Sequence, residues 1–269
     1  MRRRSWVLFL VLMLVSALVL SLAGCAPKAK TPNITKIKQR GALKVGVKAD
    51  VIGFGFKNPA TNLFEGLEID IAKRIAKEML GDEKKVEFTG VTAKTRQGLL
   101  DNGEIDIVLA TFTITEERKK LVDFSPVYYV DGIRLLVKKD SGITGLKDMD
   151  GKTIGVAKAA DTQQRLEAKA APLKVKPRFQ AYETYPEILA ALQAGRVQAF
   201  STDAAILKYY EQSDQTTKIL PDRYSDEEYG AATKKGNDDL RDFVAKVIDQ
   251  MISSGDMKVL QEKWGLTNK

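Results

Sequence analysis

From residue 43 onward, short runs of aliphatic and β-branched residues alternate with stretches whose apolar positions repeat at helical spacing. That alternation is typical of a parallel α/β architecture. Leu43–Val47 reads as a strand, and Leu67, Ile71, Ile75 and Met79, each four residues after the last, line one face of a helix. Further strands are expected at 86–88, 105–109, 154–156, 175–179 and 197–200, with helices at 94–102, 162–171, 185–194, 204–212 and 238–253. The run Ile133–Lys138 follows Tyr128 and Tyr129, and a turn at 145–151 opens a second strand and helix series, so a crossing between two lobes is expected there. A return crossing is expected near 225–229, because the last amphipathic helices, ending at Trp264, need a lobe to pack on.

The first residues carry a different signal. Arg2, Arg3 and Arg4 precede an apolar run over 6–22, and Leu22-Ala23-Gly24-Cys25 closes it. A basic start, an apolar core and a small-residue cleavage site make a secretory signal peptide, and a cysteine directly after the site suits attachment of a lipid. Residues 1–24 are read as a lipoprotein signal peptide and Cys25 as the lipidated residue that holds the protein on the membrane. Residues 25–33, rich in Pro, Lys, Ala and Thr, read as a flexible tether. An uncleaved membrane anchor and a twin-arginine export signal are the alternatives.

Cys25 is the single cysteine in 269 residues, and there is no histidine. No internal disulfide and no thiolate metal site can form, and the usual general base and preferred zinc ligand are missing. Stability must come from packing, and neither a metal nor another cofactor is expected. The net charge of +8 includes the three leading arginines, and the remaining Lys and Arg are interspersed with Asp and Glu. That is a solvated surface, and nucleic-acid binding is not implied.

The densest chemical signal is Ala110-Thr111-Phe112-Thr113-Ile114-Thr115-Glu116-Glu117-Arg118, directly after the strand expected at 105–109. It reads as a strand end, a hydroxyl-rich turn and a helix start. Thr115 suits the N-cap, while Glu116 and Glu117 suit the positive end of the helix dipole. Arg118 falls at the third helical position. From there its guanidinium can reach back over the loop and, with free backbone N–H groups and the Thr111 and Thr113 hydroxyls, clamp a carboxylate bidentately. A surface ion pair within 116–120 is the plainer reading of Arg118, and ordinary turn hydroxyls that of the two threonines.

This segment, followed by Asp123-Phe124-Ser125 and Tyr128-Tyr129, resembles the signature of the amino-acid-binding proteins of ABC importers. The resemblance extends to Gly66-Leu67-Glu68-Ile69-Asp70, to 146–155 and to 229–236, and so covers nearly all of the mature chain. It implies an α/β, type II periplasmic-binding-protein fold of two lobes, each a mixed β-sheet flanked by helices, joined by a two-strand hinge. Lobe I would comprise 34–129 and 226–269, and lobe II 130–225. The resemblance also implies roles: Arg118 holds the ligand α-carboxylate with Thr113 and the Thr111 backbone assisting, and Asp203 holds the α-ammonium. Thr162 reaches the ligand when the lobes close. Asp203 otherwise reads as the N-cap of the helix at 204–212, and the two roles can coexist.

For the ligand side chain, the sequence looks like the aspartate- and glutamate-binding members. Lys48 ends the first strand and Arg96 opens the next helical stretch, two cations for a second carboxylate and a poor match to a basic ligand. Lys48 otherwise reads as a snorkelling strand-end residue and Arg96 as a surface residue. Two positions depart from the family's pattern. Asp161 stands where acidic-ligand receptors have threonine, and would repel an acidic side chain unless it points away or caps the following helix. Val51 stands where many members have a stacking aromatic. Glutamine, asparagine or another zwitterion therefore stay open as ligands.

The function implied is a lipid-anchored extracytoplasmic receptor, expected to be a monomer and not an enzyme. It would capture a polar amino acid by lobe closure and pass it to an ABC permease and its ATPase. Two other functions fit the same fold. One is a periplasmic cyclohexadienyl dehydratase acting on prephenate or arogenate, with Asp161 as the unexpected acid; the other is a ligand-sensing or adhesive lipoprotein.

Overall fold

The computed structural model describes residues 33–267; the signal-peptide, lipidation and tether readings over 1–32, Cys25 included, lie outside the described residues. Asn33, grouped above with the tether, opens helix α1 (Asn33–Arg40), which leads into β1 (Leu43–Val47). A small antiparallel sheet follows, made of β2 (Asp50–Val51), β3 (Gly55–Lys57) and β4 (Phe64–Glu65). Then come α2 (Leu67–Leu80), β5 (Val86–Gly90), α3 (Arg96–Asn102), β6 (Ile107–Leu109), the short α4 (Glu116–Lys119) and β7 (Val122–Phe124).

α2 is set by two features of its sequence. Its apolar positions recur at helical spacing, so Leu67, Ile71, Ile75 and Met79 are all buried on one face. Its start is fixed by Gly66, with φ 133°, where a Cβ would lie 2.1 Å from the Phe54 carbonyl oxygen. Only glycine permits that approach, and the consequence is that Glu68 is held in the first turn, beneath the ends of the strands.

The chain then passes through β8 (Tyr129–Asp131) into β9 (Ile133–Lys138), β10 (Thr153–Ala157), α5 (Thr162–Ala170), β11 (Arg178–Tyr182) and α6 (Tyr185–Gln193). β12 (Ala199–Asp203), α7 (Ala204–Ser213) and β13 (Thr217–Ile219) finish this series. β14 (Glu227–Tyr229) returns antiparallel to β8, and β15 (Ala232–Lys234), α8 (Asp238–Ser253) and α9 (Asp256–Lys263) close the described chain. At the end of β8, a Cβ on Gly132 would lie 2.5 Å from the Ser225 carbonyl oxygen, so the two connecting segments run too close together for a side chain there.

One five-stranded sheet has the order β5-β1-β6-β15-β7 and the other β11-β10-β12-β9-β13. In each, three parallel strands are extended by antiparallel ones, with Val45 opposite both Phe88 and Ile107 in the first and Ile154 opposite both Phe179 and Ala199 in the second. The two-stranded β14-β8 ribbon lies between them in the chain. This is a two-lobed periplasmic-binding-protein fold with mixed sheets and flanking helices. Its buried apolar side chains hold it, each fully buried Leu, Ile or Phe contributing about 1.5–3 kcal/mol. Phe54, Leu67, Phe200 and Tyr229 are among the most deeply buried. No helix among the described residues is long and apolar enough to cross a membrane.

Candidate functional site

Parallel α/β sheets present their ligand-binding loops beyond the carboxyl ends of the strands. Here those ends belong to β1, β6, β10 and β12, and the groups that follow them meet in one cleft between the lobes.

After β6, Thr115 caps α4: its hydroxyl accepts from the Arg118 backbone N–H at 3.2 Å, as its sequence position suggests. The Arg118 side chain reaches back, Nη1 donating to the Thr113 carbonyl at 2.8 Å. Its Nη2 lies 3.3 Å from Asp161 Oδ1 on the other side of the cleft. Asp161 occupies the N-cap position of α5 without capping it; its second oxygen is 3.5 Å from Arg165 Nε. The carboxylate therefore points into the cleft. Thr111, Thr113 and Thr162 are all buried there.

Lys48 and Arg96, expected to await a second carboxylate, are both engaged within the protein. Lys48 is 3% exposed, pairs with Asp50 at 3.1 Å and lies 4.7 Å from the centre of the Tyr185 ring. Tyr185 is held in place by the start of α6, where Glu187 accepts from the Thr184 backbone N–H in a capping box. Burial lowers the Lys48 pKa, and Asp50 opposes that shift. Arg96 is 4% exposed; its Nη1 donates to the carbonyls of Ala110 at 2.7 Å and Thr111 at 3.3 Å, and its guanidinium lies 3.8 Å from the Phe112 ring centre. It is a buried strut of the 110–113 loop and not a surface residue. Val51 is buried in the apolar core.

Asp203 stands at the N-cap position of α7, yet its side chain makes no capping bond. Asp131, at the end of β8, does that work instead, accepting from the Ala205 backbone N–H at 3.0 Å. Asp203 accepts from the Tyr229 hydroxyl. Burial, and behind it the carboxylates of Asp131 and Glu227, push the Asp203 carboxyl well above its ordinary range. Glu227 is itself fully buried, with Arg165 3.6 Å away. Buried like charges of this kind favour a cation among them.

Glu68, Asp50, Tyr185 and Tyr229 are site residues that the sequence reading did not single out. Glu68 lies inside the Gly66–Asp70 motif, but an acid in the first turn of a helix reads as an ordinary partner of the dipole. Nothing in the sequence shows that it is buried.

A cavity of about 760 Å³ opens on the hinge side beside Asp131, Arg134, Lys208 and Trp264. A smaller one, about 370 Å³, lies at Arg118, Ala160, Asp161 and Arg165. The second holds the Arg118–Asp161 pair, with Thr115 and Arg165 beside it.

Two lobes joined by the β14-β8 ribbon, with Arg118 facing Asp161 across the cleft and buried carboxylates beyond, are the architecture of a solute-binding protein. The chain belongs to the bacterial extracellular solute-binding proteins, family 3, whose pattern it matches over residues 43–267. It is 42% identical over 252 residues to the glutamine-binding protein of Geobacillus stearothermophilus, covering 87% of this chain and 95% of that one. It is 39% identical over 256 residues to the ABC transporter glutamine-binding protein GlnH of Bacillus subtilis (strain 168), covering 91% and 92%. Among solved structures, it resembles the ancestral amino acid-binding protein AncCDT-1, a precursor of cyclohexadienyl dehydratase, with TM-score 0.76, 33% identity and coverage of 86% and 99%.

Proposed function

We propose that this protein is the amino-acid receptor of an ABC importer and that it takes a neutral polar amino acid, glutamine foremost. The observation that carries the choice of ligand is the engagement of both expected side-chain cations: Lys48 by Asp50 at 3.1 Å, and Arg96 by the Ala110 and Thr111 carbonyls. A ligand carboxylate brought to them would meet cations already neutralised or spent on backbone, next to Asp50, Glu68 and Asp161. An amide needs no counter-charge and can both donate and accept. This reading replaces the aspartate or glutamate preference drawn from Lys48 and Arg96, and the glutamine-binding relatives support it.

In this proposal Arg118, with the Thr113 and Thr111 hydroxyls, holds the α-carboxylate, and Asp203 holds the α-ammonium; the Thr111 backbone, expected to assist, has its N–H taken by Glu68 and its carbonyl by Arg96. The crowding of Asp131 and Glu227 around Asp203 favours a cation there. Thr162 completes the shell as the lobes close, and the permease accepts the ligand from that closed form. Lipidated Cys25 would keep the receptor, a monomer, at the outer face of the membrane. The dehydratase reading is disfavoured because Asp161, its proposed acid, is an ion-pair partner of Arg118 and Arg165.

The test is calorimetry on protein unfolded and refolded to strip carried-over ligand, titrated with glutamine, asparagine, glutamate, aspartate, cystine and arginine. Tight binding of glutamine with glutamate much weaker is expected. A preference for glutamate or aspartate would restore the second-carboxylate role of Lys48 and Arg96. Silence throughout, with turnover of prephenate or arogenate in an ultraviolet assay, would make the protein an enzyme.

A further inference from the structure

Glu68 is fully buried, with no measurable exposure. Its Oε1 accepts from the Thr111 backbone N–H at 2.5 Å and from the Tyr128 hydroxyl at 2.6 Å, while its Oε2 has no hydrogen-bond partner among the described residues. Thr111 has φ 43°, in the left-handed region that β-branched residues avoid. Such a conformation costs about 1–3 kcal/mol and persists only where the surroundings impose it. Two groups do so here. Glu68 holds the N–H side of Thr111, and Arg96 holds the carbonyls of Ala110 and Thr111. The next residue, Phe112, has its ring under both guanidiniums, 3.8 Å from Arg96 and 4.9 Å from Arg118.

We propose that Glu68 is the positioning residue of the carboxylate clamp: by accepting from Thr111 N–H it locks the strained 110–113 loop, and so aims Arg118 and the loop's own donors at the ligand. It does this through Thr111 without touching the ligand. The role rests on the receptor reading above. Gly66 makes it possible, because the approach of that residue to the Phe54 carbonyl sets the first turn of α2 beneath the loop. The charged and titratable groups facing Glu68 are Lys48 after β1, Arg96 from α3 and Tyr128 before β8. Burial raises its pKa to about 7, against the pull of those partners. Below that pH the carboxyl is protonated and a weaker acceptor, so the lock loosens as pH falls.

The experiment compares wild type, Glu68→Gln, Glu68→Met and the double variant Glu68→Met with Thr111→Gly. Each is stripped of ligand, checked for folding by circular dichroism and titrated with glutamine from pH 5.5 to 8.5. In wild type, affinity should fall as pH drops through 7. Glu68→Gln keeps a neutral acceptor and should bind within about threefold of wild type at neutral pH, with that pH step gone. Glu68→Met leaves the Thr111 N–H unpaired and should bind about ten- to hundredfold more weakly. Glycine at 111 adopts positive φ without strain, so the double variant should recover most of that loss. Wild-type affinity in Glu68→Met, or no recovery with glycine, would overturn the proposal. A second readout needs no ligand: the Thr111 amide proton resonance should titrate with pH in wild type and stay flat in Glu68→Gln. A Thr111 resonance unchanged between them would also overturn it. Were wild type to bind none of the amino acids, the receptor reading would fall, and the Thr111 resonance would still decide the role of Glu68.

Discussion

Arg118 and Arg96 share the ring of Phe112 but are committed differently, and their loss should show it. Arg118 has one edge on the Thr113 carbonyl and the other facing Asp161 across the cleft, so it is the group open to exchange of partners. Arg118→Ala should weaken every amino-acid ligand about hundredfold or more, with little effect on the melting temperature. Arg96→Ala should lower the melting temperature and weaken all ligands alike, because it strips a strut from the loop; a change of ligand preference alone would contradict that. In the proposed clamp, Asp161 would compete for the Arg118 guanidinium that a ligand carboxylate needs. As a partly exposed pair is worth at most about 1 kcal/mol, Asp161→Asn should tighten binding about two- to fivefold, and weaker binding would instead make Asp161 part of the ligand's shell.

The hinge ribbon and α7 form one unit, because the carboxylate that caps the helix comes from β8. Asp131→Ala should remove about 1 kcal/mol of stability in urea unfolding, and an unchanged midpoint would show that the Ala205 N–H finds another partner. Long elements with a clear period were legible: β1 and α8 span the residues that their patterns indicate. The strand expected at 175–179 runs instead over 178–182, because Pro177 has no N–H to give the ladder and pairing begins after it. The β2–β4 sheet escaped notice since pieces of two or three residues show no period. In the cleft, local pattern marks Arg118, Thr111 and Thr113, while Asp203 reads locally as an N-cap and only the family resemblance points to it. The partners that decide what they do carry no such mark: Asp50 and Glu68 are ordinary acids until the fold buries them, and the contact of Asp161 with Arg118 joins residues 43 positions apart.

Across the whole molecule, several polar contacts join the lobes over the cleft, among them Lys48 against the Tyr185 ring and the Tyr185 backbone N–H donating to Asp50 at 3.4 Å. Lys94 and Glu183 lie 3.5 Å apart, the Tyr210 hydroxyl donates to the Asp50 carbonyl at 3.2 Å, and Arg118 pairs with Asp161. Saturating glutamine should reduce the radius of gyration measured by small-angle scattering, and stripped Asp161→Asn should be wider than stripped wild type; no change on adding ligand would rule out capture by closure. The Arg118–Asp161 pair reaches beyond the receptor itself. If cargo takes the place of Asp161 on Arg118, as proposed, the aspartate would let the protein counterfeit a loaded outline. A permease that reads only this outline would then spend ATP on futile strokes, and the efficiency of the whole importer would depend on how often one aspartate impersonates the molecule being carried.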